Sequence, residues 1–595
     1  MKAILSKAGC YVLAGCLVAA VVFANLGATR LWDRDEPRNA GCAWEMLERG
    51  DWIVPTFNGE LRSHKPVLLY WLMISAYRVF GRTEWAARFW SAVLSVGSCL
   101  LLADLVRRWL GSSVAVLAAV VLGTSLMFVV AARAATPDAA LIFFVTAALW
   151  WFARHHVVGS RGDRENRAIC GVSTGTRFLQ PWNIPFASGY YALLGLAVLA
   201  KGPVGAILPA AITGVFLWWD HFSVESATVR DGCLRRTLRS LLSAAATMRL
   251  GPGIVILLAV AAPWYVWVSL RTEGQFLYEF LFVHNWQRAR TAFEGHAGPF
   301  FYYLPAFLVG FFPWSIFFVP TVLEVWYHRR DKEHRRIISF FICWFVVWVG
   351  AFSCAQTKLP SYITPAYPAA AALTAFYLDQ WQKYSAHTRP AWVFWALVVL
   401  GIAGTGILAG AWIVVPKYLP DERLLALIGL VPVAGAAAGM GAWLANRRQQ
   451  VVAIVAASAM LLCLGLFAWA AVRVDRYRNL EKLVAHLSHS GTAAECAALG
   501  VLEPSWVFYL GRPIKCYGVT SDESVSEQVA SFLGESGSRR LVTTATLYQR
   551  LDKELSGRVQ IVGEVPYFLE NETLVILSGV PSTARAEQPA RIHSR

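Results

Sequence analysis

Charged residues are scarce in this chain. Asp, Glu, Lys and Arg make up 15% of its 595 residues, against about 25% in an average soluble protein. That shortage excludes an ordinary cytosolic enzyme, and it excludes a disordered chain, which needs high charge and little apolar surface. Acidic residues are the scarcer sign: 38 against 54 Lys and Arg, a net charge of +16. In a soluble protein that excess would suggest a nucleic-acid partner. Here 56% of the residues are hydrophobic, so basic loops beside anionic lipid headgroups account for it instead. Metal-type cysteine spacing is also missing. The 11 cysteines are scattered, and most sit in apolar runs, as Cys99, Cys343 and Cys463 do, which makes them small buried hydrophobes. Cys496 and Cys516, in the polar C-terminal part, are the pair that would form a disulfide in an oxidising compartment. No sequence repeat is evident.

What the chain has in abundance is apolar runs. A membrane helix needs about 20 largely apolar residues. Thirteen such runs centre near residues 18, 97, 122, 146, 193, 211, 261, 313, 346, 370, 402, 434 and 461. Loops around Arg107, 154–177, 230–249, 329–336, 383–389 and Arg447 are basic. Alternation from a cytoplasmic N-terminus places all of them inside, as the charge rule requires. The expected fold is a polytopic α-helical membrane protein of about 13 transmembrane helices. Residues 1–475 form the membrane domain, with long outer loops at 30–86 and 271–299. Amphipathic stretches at 40–49 and 66–80 read as interfacial helices. Residues 476–580 change character: β-like runs at 495–501, 513–517, 540–544, 559–565 and 573–577 alternate with helical patterns such as 521–533. They predict a small outer-face α/β domain. Residues 581–595 read as a disordered tail.

Ionisable residues near apolar runs are costly and usually functional. With the topology set by the basic loops alone, Asp33, Asp35, Glu36, Arg38, His64, Lys65, Arg133, Asp138, Lys201, His284, Arg288 and Lys358 all fall at one face. Cations around one or two carboxylates suit a phosphate-bearing substrate and a proton acceptor. Trp, Tyr and Phe, at 26, 20 and 33, offer faces on which a sugar can stack, although membrane-interface belts also use them.

The residues at this face come in an ordered set of motifs. Asp35-Glu36-Pro37-Arg38, Gly50-Asp51-Trp52, Asn58-Gly59 and Lys65-Pro66 are followed by Thr136-Pro137-Asp138 and Ala200-Lys201-Gly202. Then come His284-Asn285-Trp286-Gln287-Arg288, Tyr302-Tyr303-Leu304-Pro305, Phe312-Pro313-Trp314 and Thr357-Lys358-Leu359-Pro360-Ser361-Tyr362. Over about residues 15–380 this set resembles the aminoarabinose transferases of lipid A modification, which are relatives of the protein O-mannosyltransferases.

The resemblance implies a C-type membrane glycosyltransferase of the inner membrane. Its donor would be a polyprenyl-phosphate sugar, its acceptor a lipid, glycan or protein, and transfer would invert the anomeric centre. No nucleic acid is implied as a partner, and no cofactor is required. Asp35 matches the family's essential acid, with Asp33 and Glu36 as competitors, and Asp138 matches a second acidic position. Asp138 also reads as a helix N-cap. Lys65, Lys201, Arg288 and Lys358 are the candidates to hold the donor phosphate. Asp33, Glu36, Arg38, Tyr302 and Tyr362 are candidates for substrate contact. In some relatives a Glu before the Lys matched by Lys65 joins the residue matched by His284 at a metal site. Here His64 stands in its place, so His64 and His284 are the candidate zinc ligands. A lipid-linked sugar transporter is the alternative from another class, but it needs polar access near the midplane from both faces.

Overall fold

The computed structural model describes residues 7–580 apart from 33, 158–181, 226–232, 288–297, 330, 332–333, 384–385, 489–494, 519–521, 535–537, 556 and 571. Asp33, Arg288 and the 581–595 tail therefore lie outside the described residues. The chain is a polytopic helical membrane protein with a small C-terminal sheet. A helix covers every centre read from the sequence except residue 313, from Lys7–Phe23 near the start to Arg448–Cys463; residue 313 falls in the turn between Tyr303–Gly310 and Trp314–Phe317. Among the described residues, eight helices are long and apolar enough to cross a membrane, or up to ten if each bent pair counts as one span. The count of thirteen is not reached because several helices are short, such as Lys7–Phe23 and Tyr367–Gln382. Others are broken in mid-run.

The two breaks support each other. Ser112–Gly123 and Leu126–Arg133 meet at 71°, and Phe300–Gly310 meets Trp314–His328 at 114°. In the first break, Thr124 and Ser125 turn their hydroxyls back onto the carbonyls of Val120 and Val121. In return the Trp314 indole donates to Thr124 Oγ1 at 2.8 Å, and the Leu126 amide donates to the Phe312 carbonyl. Backbone freed by a break at membrane depth is tolerated only where protein supplies such partners.

Both amphipathic stretches of the first long loop are helices, Asp35–Arg49 and Leu68–Phe80. Gly50 ends the first in the left-handed conformation at φ 65°, where its amide and that of Asp51 return to Leu47 and Met46; a glycine takes that φ without the Cβ clash. A two-stranded hairpin follows, Thr56–Phe57 with Glu60–Leu61. Its two-residue turn is Asn58-Gly59, both at positive φ, as the favoured hairpin turns require. Glu45 fastens the hairpin to the helix by accepting from Thr56 Oγ1 at 2.7 Å and the Asn58 amide at 2.6 Å.

All five C-terminal β-like runs are strands of one sheet, ordered Lys515–Tyr517, Cys496–Leu499, Arg540–Thr544, Glu572–Gly579, Val559–Tyr567. The first three are mutually parallel, and Glu572–Gly579 runs antiparallel to both of its neighbours. The disulfide expectation fails: Cys496 and Cys516 are both free thiols. On their adjacent strands Cys516 stands opposite Ala498, so Cys496 is two residues out of register. The sheet region docks on the first long loop. Asn58 exchanges two hydrogen bonds with the Ile514 backbone, at 2.9 and 2.7 Å, and Tyr509 accepts from the Leu31 amide while donating to Glu84.

Candidate active site

The site begins where the Asp35–Arg49 helix begins. Asp35 and Glu36 are neighbours in sequence and opposite in environment. Glu36 is buried, and both its oxygens are occupied. Arg88 grips it with Nε and Nη2 at 2.9 and 2.8 Å, and the amides of Trp32 and Ala135 donate at 2.6 and 2.7 Å. Arg88 also donates to the carbonyls of Leu26, Thr29 and Arg30. Glu36 thus welds the helix start to the Glu84–Leu110 helix and to the turn before Asp138. That is a framework role rather than the substrate contact expected of it. Asn39 strengthens the weld by donating to the Ala135 carbonyl at 3.0 Å.

Asp35, by contrast, is part-exposed, with Arg62 Nη2 3.9 Å from Oδ1. Burial pushes its carboxyl up, but the charges of Lys65, Arg62, Arg38 and Lys201 outweigh it and hold the group below the usual carboxylate range. The helix N-terminus also favours a negative charge there. Lys65 feels the opposite balance. Burial and the repulsion of Lys201 and Arg62 outweigh Asp35 and Asp138 and pull its ammonium down to about 8. Lys201, at the end of the Ile184–Lys201 helix, forms an ion pair with Asp138 and lies 5.4 Å from the Tyr362 ring centre. The N-cap of the Asp138–His156 helix is Pro137 rather than Asp138. The Asp138 carboxylate instead faces Lys201 and accepts from the Thr136 hydroxyl at 3.3 Å.

The structure therefore brings Asp35, Arg38, Lys65, Asp138, Lys201 and Tyr362 together, from parts of the chain up to about 330 residues apart. Lys358 and Tyr302 stand next to this group. The Lys358 side chain, 4% exposed, donates to the carbonyls of Ser353 and Ala355 at 2.8 and 2.7 Å. It caps the end of the Arg335–Cys354 helix and lies 5.7 Å from the Tyr303 ring. Lys358→Ala is accordingly expected to lower the thermal midpoint of the detergent-solubilised protein as well as weaken donor use. An unchanged midpoint would mean that the helix end needs no such cap. Arg133, counted with the site in the sequence, turns away: it donates to the carbonyls of Val21, Val22 and Ala24 and to Phe467.

Arg62 is the residue that sequence reasoning missed. It is buried between the Asn39 amide oxygen, at 3.1 Å, and the Tyr70 hydroxyl, at 3.3 Å, while facing Asp35. Its one sequence signal is its place three residues before Lys65 in the matched motif.

His64 and His284 do meet, with ring centres 3.9 Å apart and planes 29° apart. Imidazole lone pairs lie in the ring plane, so near-parallel stacked rings aim theirs side by side rather than at a shared ion. The nearby carboxylate of Glu279 accepts from Ser63 and Gln275 instead. The pair does not fit a zinc site in this arrangement.

The comparisons with known proteins bear on this geometry. Residues 64–180 match the family model described as dolichyl-phosphate-mannose-protein mannosyltransferase. The undecaprenyl phosphate-alpha-4-amino-4-deoxy-L-arabinose arabinosyl transferase of Pectobacterium atrosepticum is 29% identical over 423 residues, 70% of this chain and 68% of that protein. An uncharacterized protein of Aquifex aeolicus is also 29% identical, over 64% of this chain and 66% of its own length. The chain thus matches about two thirds of the length of each relative. The crystal structure of ArnT from Cupriavidus metallidurans bound to undecaprenyl phosphate superposes with a TM-score of 0.72 at 23% identity, covering 96% of this chain and 98% of that one. The family resemblance carried by the ordered motifs is borne out, and the fold is shared over nearly the whole chain.

Proposed function

We propose that this chain, with the fold of a membrane aminoarabinose transferase, is an integral membrane glycosyltransferase of the cytoplasmic membrane. It moves a sugar from a polyprenyl-phosphate donor to a lipid, glycan or protein acceptor at the outer face, with inversion. The observation that carries the reading is an ionised Asp35 ringed by Arg38, Arg62, Lys65 and Lys201. The basic loops at the opposite ends of the helices support the outer placement. The relatives named for transfer from undecaprenyl phosphate, and the solved relative that holds that lipid, support the donor class.

The chemistry follows from the placement. The acceptor oxygen attacks C1 of the sugar from the face opposite the phosphate. The C1–O bond breaks, and polyprenyl phosphate leaves with its electron pair. In this reading Lys65 and Lys201 bind the phosphate and stabilise the departing charge. Asp35 takes the proton of an acceptor hydroxyl. Asp138, held by Lys201, orients the sugar, with Tyr302 and Tyr362 as its walls. The step uses this chain's own residues.

The test is transfer by the purified protein from polyprenyl-phosphate sugars to a membrane extract, with mass spectrometry of the products. Consumption of a donor and appearance of a sugar-modified acceptor are expected. Intact donor throughout, with folded protein, would overturn the reading in favour of a transporter.

The charge state of Lys65 gives a second expectation. The ammonium is protonated below about 8 and neutral above it. Donor kcat/KM, which reports the free enzyme, should therefore fall as pH rises through that value. Lys65→Arg carries a guanidinium that stays charged, so this limb should vanish in that variant. An unchanged limb would assign it to another group.

A further inference from the structure

Away from Asp35, a second cluster of ionisable side chains gathers where the Phe318–His328 helix ends and the segment before the Ala391–Tyr418 helix passes by. This cluster and the Lys358 end of the Asp35 site are separated by the length of a membrane helix. The Arg335–Cys354 helix starts beside this cluster and ends at the carbonyls that Lys358 caps, and 20 helical residues span about 30 Å. Basic residues flank the cluster, including Arg329, Arg335, Arg336 and Arg389, which marks it as the cytosolic end.

Three groups converge there: Glu324, His328 and His387. Glu324 Oε1 lies 3.2 Å from His328 Nδ1 and 3.4 Å from His387 Nδ1. Two ligands bound to zinc at the usual lengths and at the tetrahedral angle lie about 3.4 Å from each other. The two imidazoles meet edge to face, with planes 85° apart and centres 4.7 Å apart, so their in-plane lone pairs approach from different directions. The stacked rings of His64 and His284 lack this property. The carboxylate is fully buried, and it is oriented by the amides of His387 and Thr388, each donating at 3.0 Å. Such outer partners are what hold a ligating carboxylate in place. His387 is 56% exposed, which leaves an entry path and a fourth position for water.

We propose that Glu324, His328 and His387 form a zinc site at the cytosolic end of the bundle, stapling the Phe318–His328 helix to the segment that leads into the Ala391–Tyr418 helix. The imidazoles face Glu324 through Nδ1, and His328 Nδ1 also lies 3.1 Å from its own helix carbonyl at Glu324. With zinc bound, both Nδ1 atoms give their lone pairs to the metal, the ring protons sit on Nε2, and the contact to the carbonyl is given up. The staple is independent of the transfer reaction, and its test does not read activity.

The experiment is metal content and thermal midpoint of the full chain in detergent, carrying no histidine tag, stripped with chelator and then equilibrated with zinc chloride or cobalt chloride. One equivalent of zinc per chain, a higher midpoint with zinc, and the strong visible absorption of tetrahedral cobalt are expected. His387→Ala, at an exposed position that should still fold, is expected to weaken zinc binding by more than the roughly 10–100-fold typical of losing an outer partner. Glu324→Gln should do the same. A His64→Ala/His284→Ala double variant should keep its equivalent of zinc. No stoichiometric zinc in the native chain, or zinc retained with the same affinity in His387→Ala, would overturn the site and leave a plain hydrogen-bonded His–carboxylate cluster.

Discussion

Asp35→Asn is expected to insert and fold as the native chain does, yet to lose transfer by about 10²–10⁴-fold, the usual worth of a positioned general base. The side chain is part-exposed and stands at the start of a helix already secured by Glu36 and Asn39, so its amide analogue leaves the framework intact. What changes is charge and basicity. The amide cannot take the acceptor proton, and the four cations around it lose one of their counter-charges. Donor consumption and product mass, measured beside the native chain, check the result. Turnover unchanged in folded Asp35→Asn protein would remove the residue from its role. The size of the loss also reports the acceptor. A hydroxyl must shed its proton as C1 is attacked, whereas an ionised phosphate acceptor has none to shed and should suffer less.

Arg88→Met is expected to have the largest effect on stability. Arg88 and Glu36 have side chains 4% and 5% exposed and share two hydrogen bonds. Removing one member of a buried ion pair strands the other charge and costs about 3–5 kcal/mol. Arg88 also satisfies three carbonyls in the turn after the first helix, so they lose their partner as well. The thermal midpoint in detergent should fall sharply. Transfer at low temperature should fall with it, because the same weld positions Asp35 and the Thr136-Pro137-Asp138 turn. Arg88→Met/Glu36→Gln should recover part of the stability by removing the stranded charge. A single variant that melts with the native protein would show that the pair adds no net stability.

Much of the architecture was legible because it depends on local pattern. Apolar runs of membrane length located the helices, as far as Arg448–Cys463. Alternation and turn residues located the five short strands of the C-terminal part, whereas the hairpin at Asn58-Gly59 went unread. The helix count was not legible in the same way. The break at Gly123-Thr124-Ser125 lies inside one apolar run, and only its contact with Trp314 and Phe312 shows how the freed backbone groups are satisfied. The failure of the Cys496–Cys516 pairing has a similar cause, since strand register is a property of the sheet.

The site divides along the same line. Asp35, Lys65, Asp138 and Lys201 were singled out because charges beside membrane helices are costly, and because their motifs recur in order. Nothing local told Glu36 from Asp35, or Arg62 from any loop arginine. Nor did sequence order suggest that Glu324, His328 and His387 would meet. Composition, run length and the placement of basic loops are sums over neighbouring residues, so the sequence alone determined a helical membrane protein and the ends of its helices at which the basic loops lie. Which carboxylate is buried against an arginine, and which stands ionised among cations, depends on groups tens to hundreds of residues away. Desolvation and Coulomb interactions act through space rather than along the chain, and only the tertiary structure decided them.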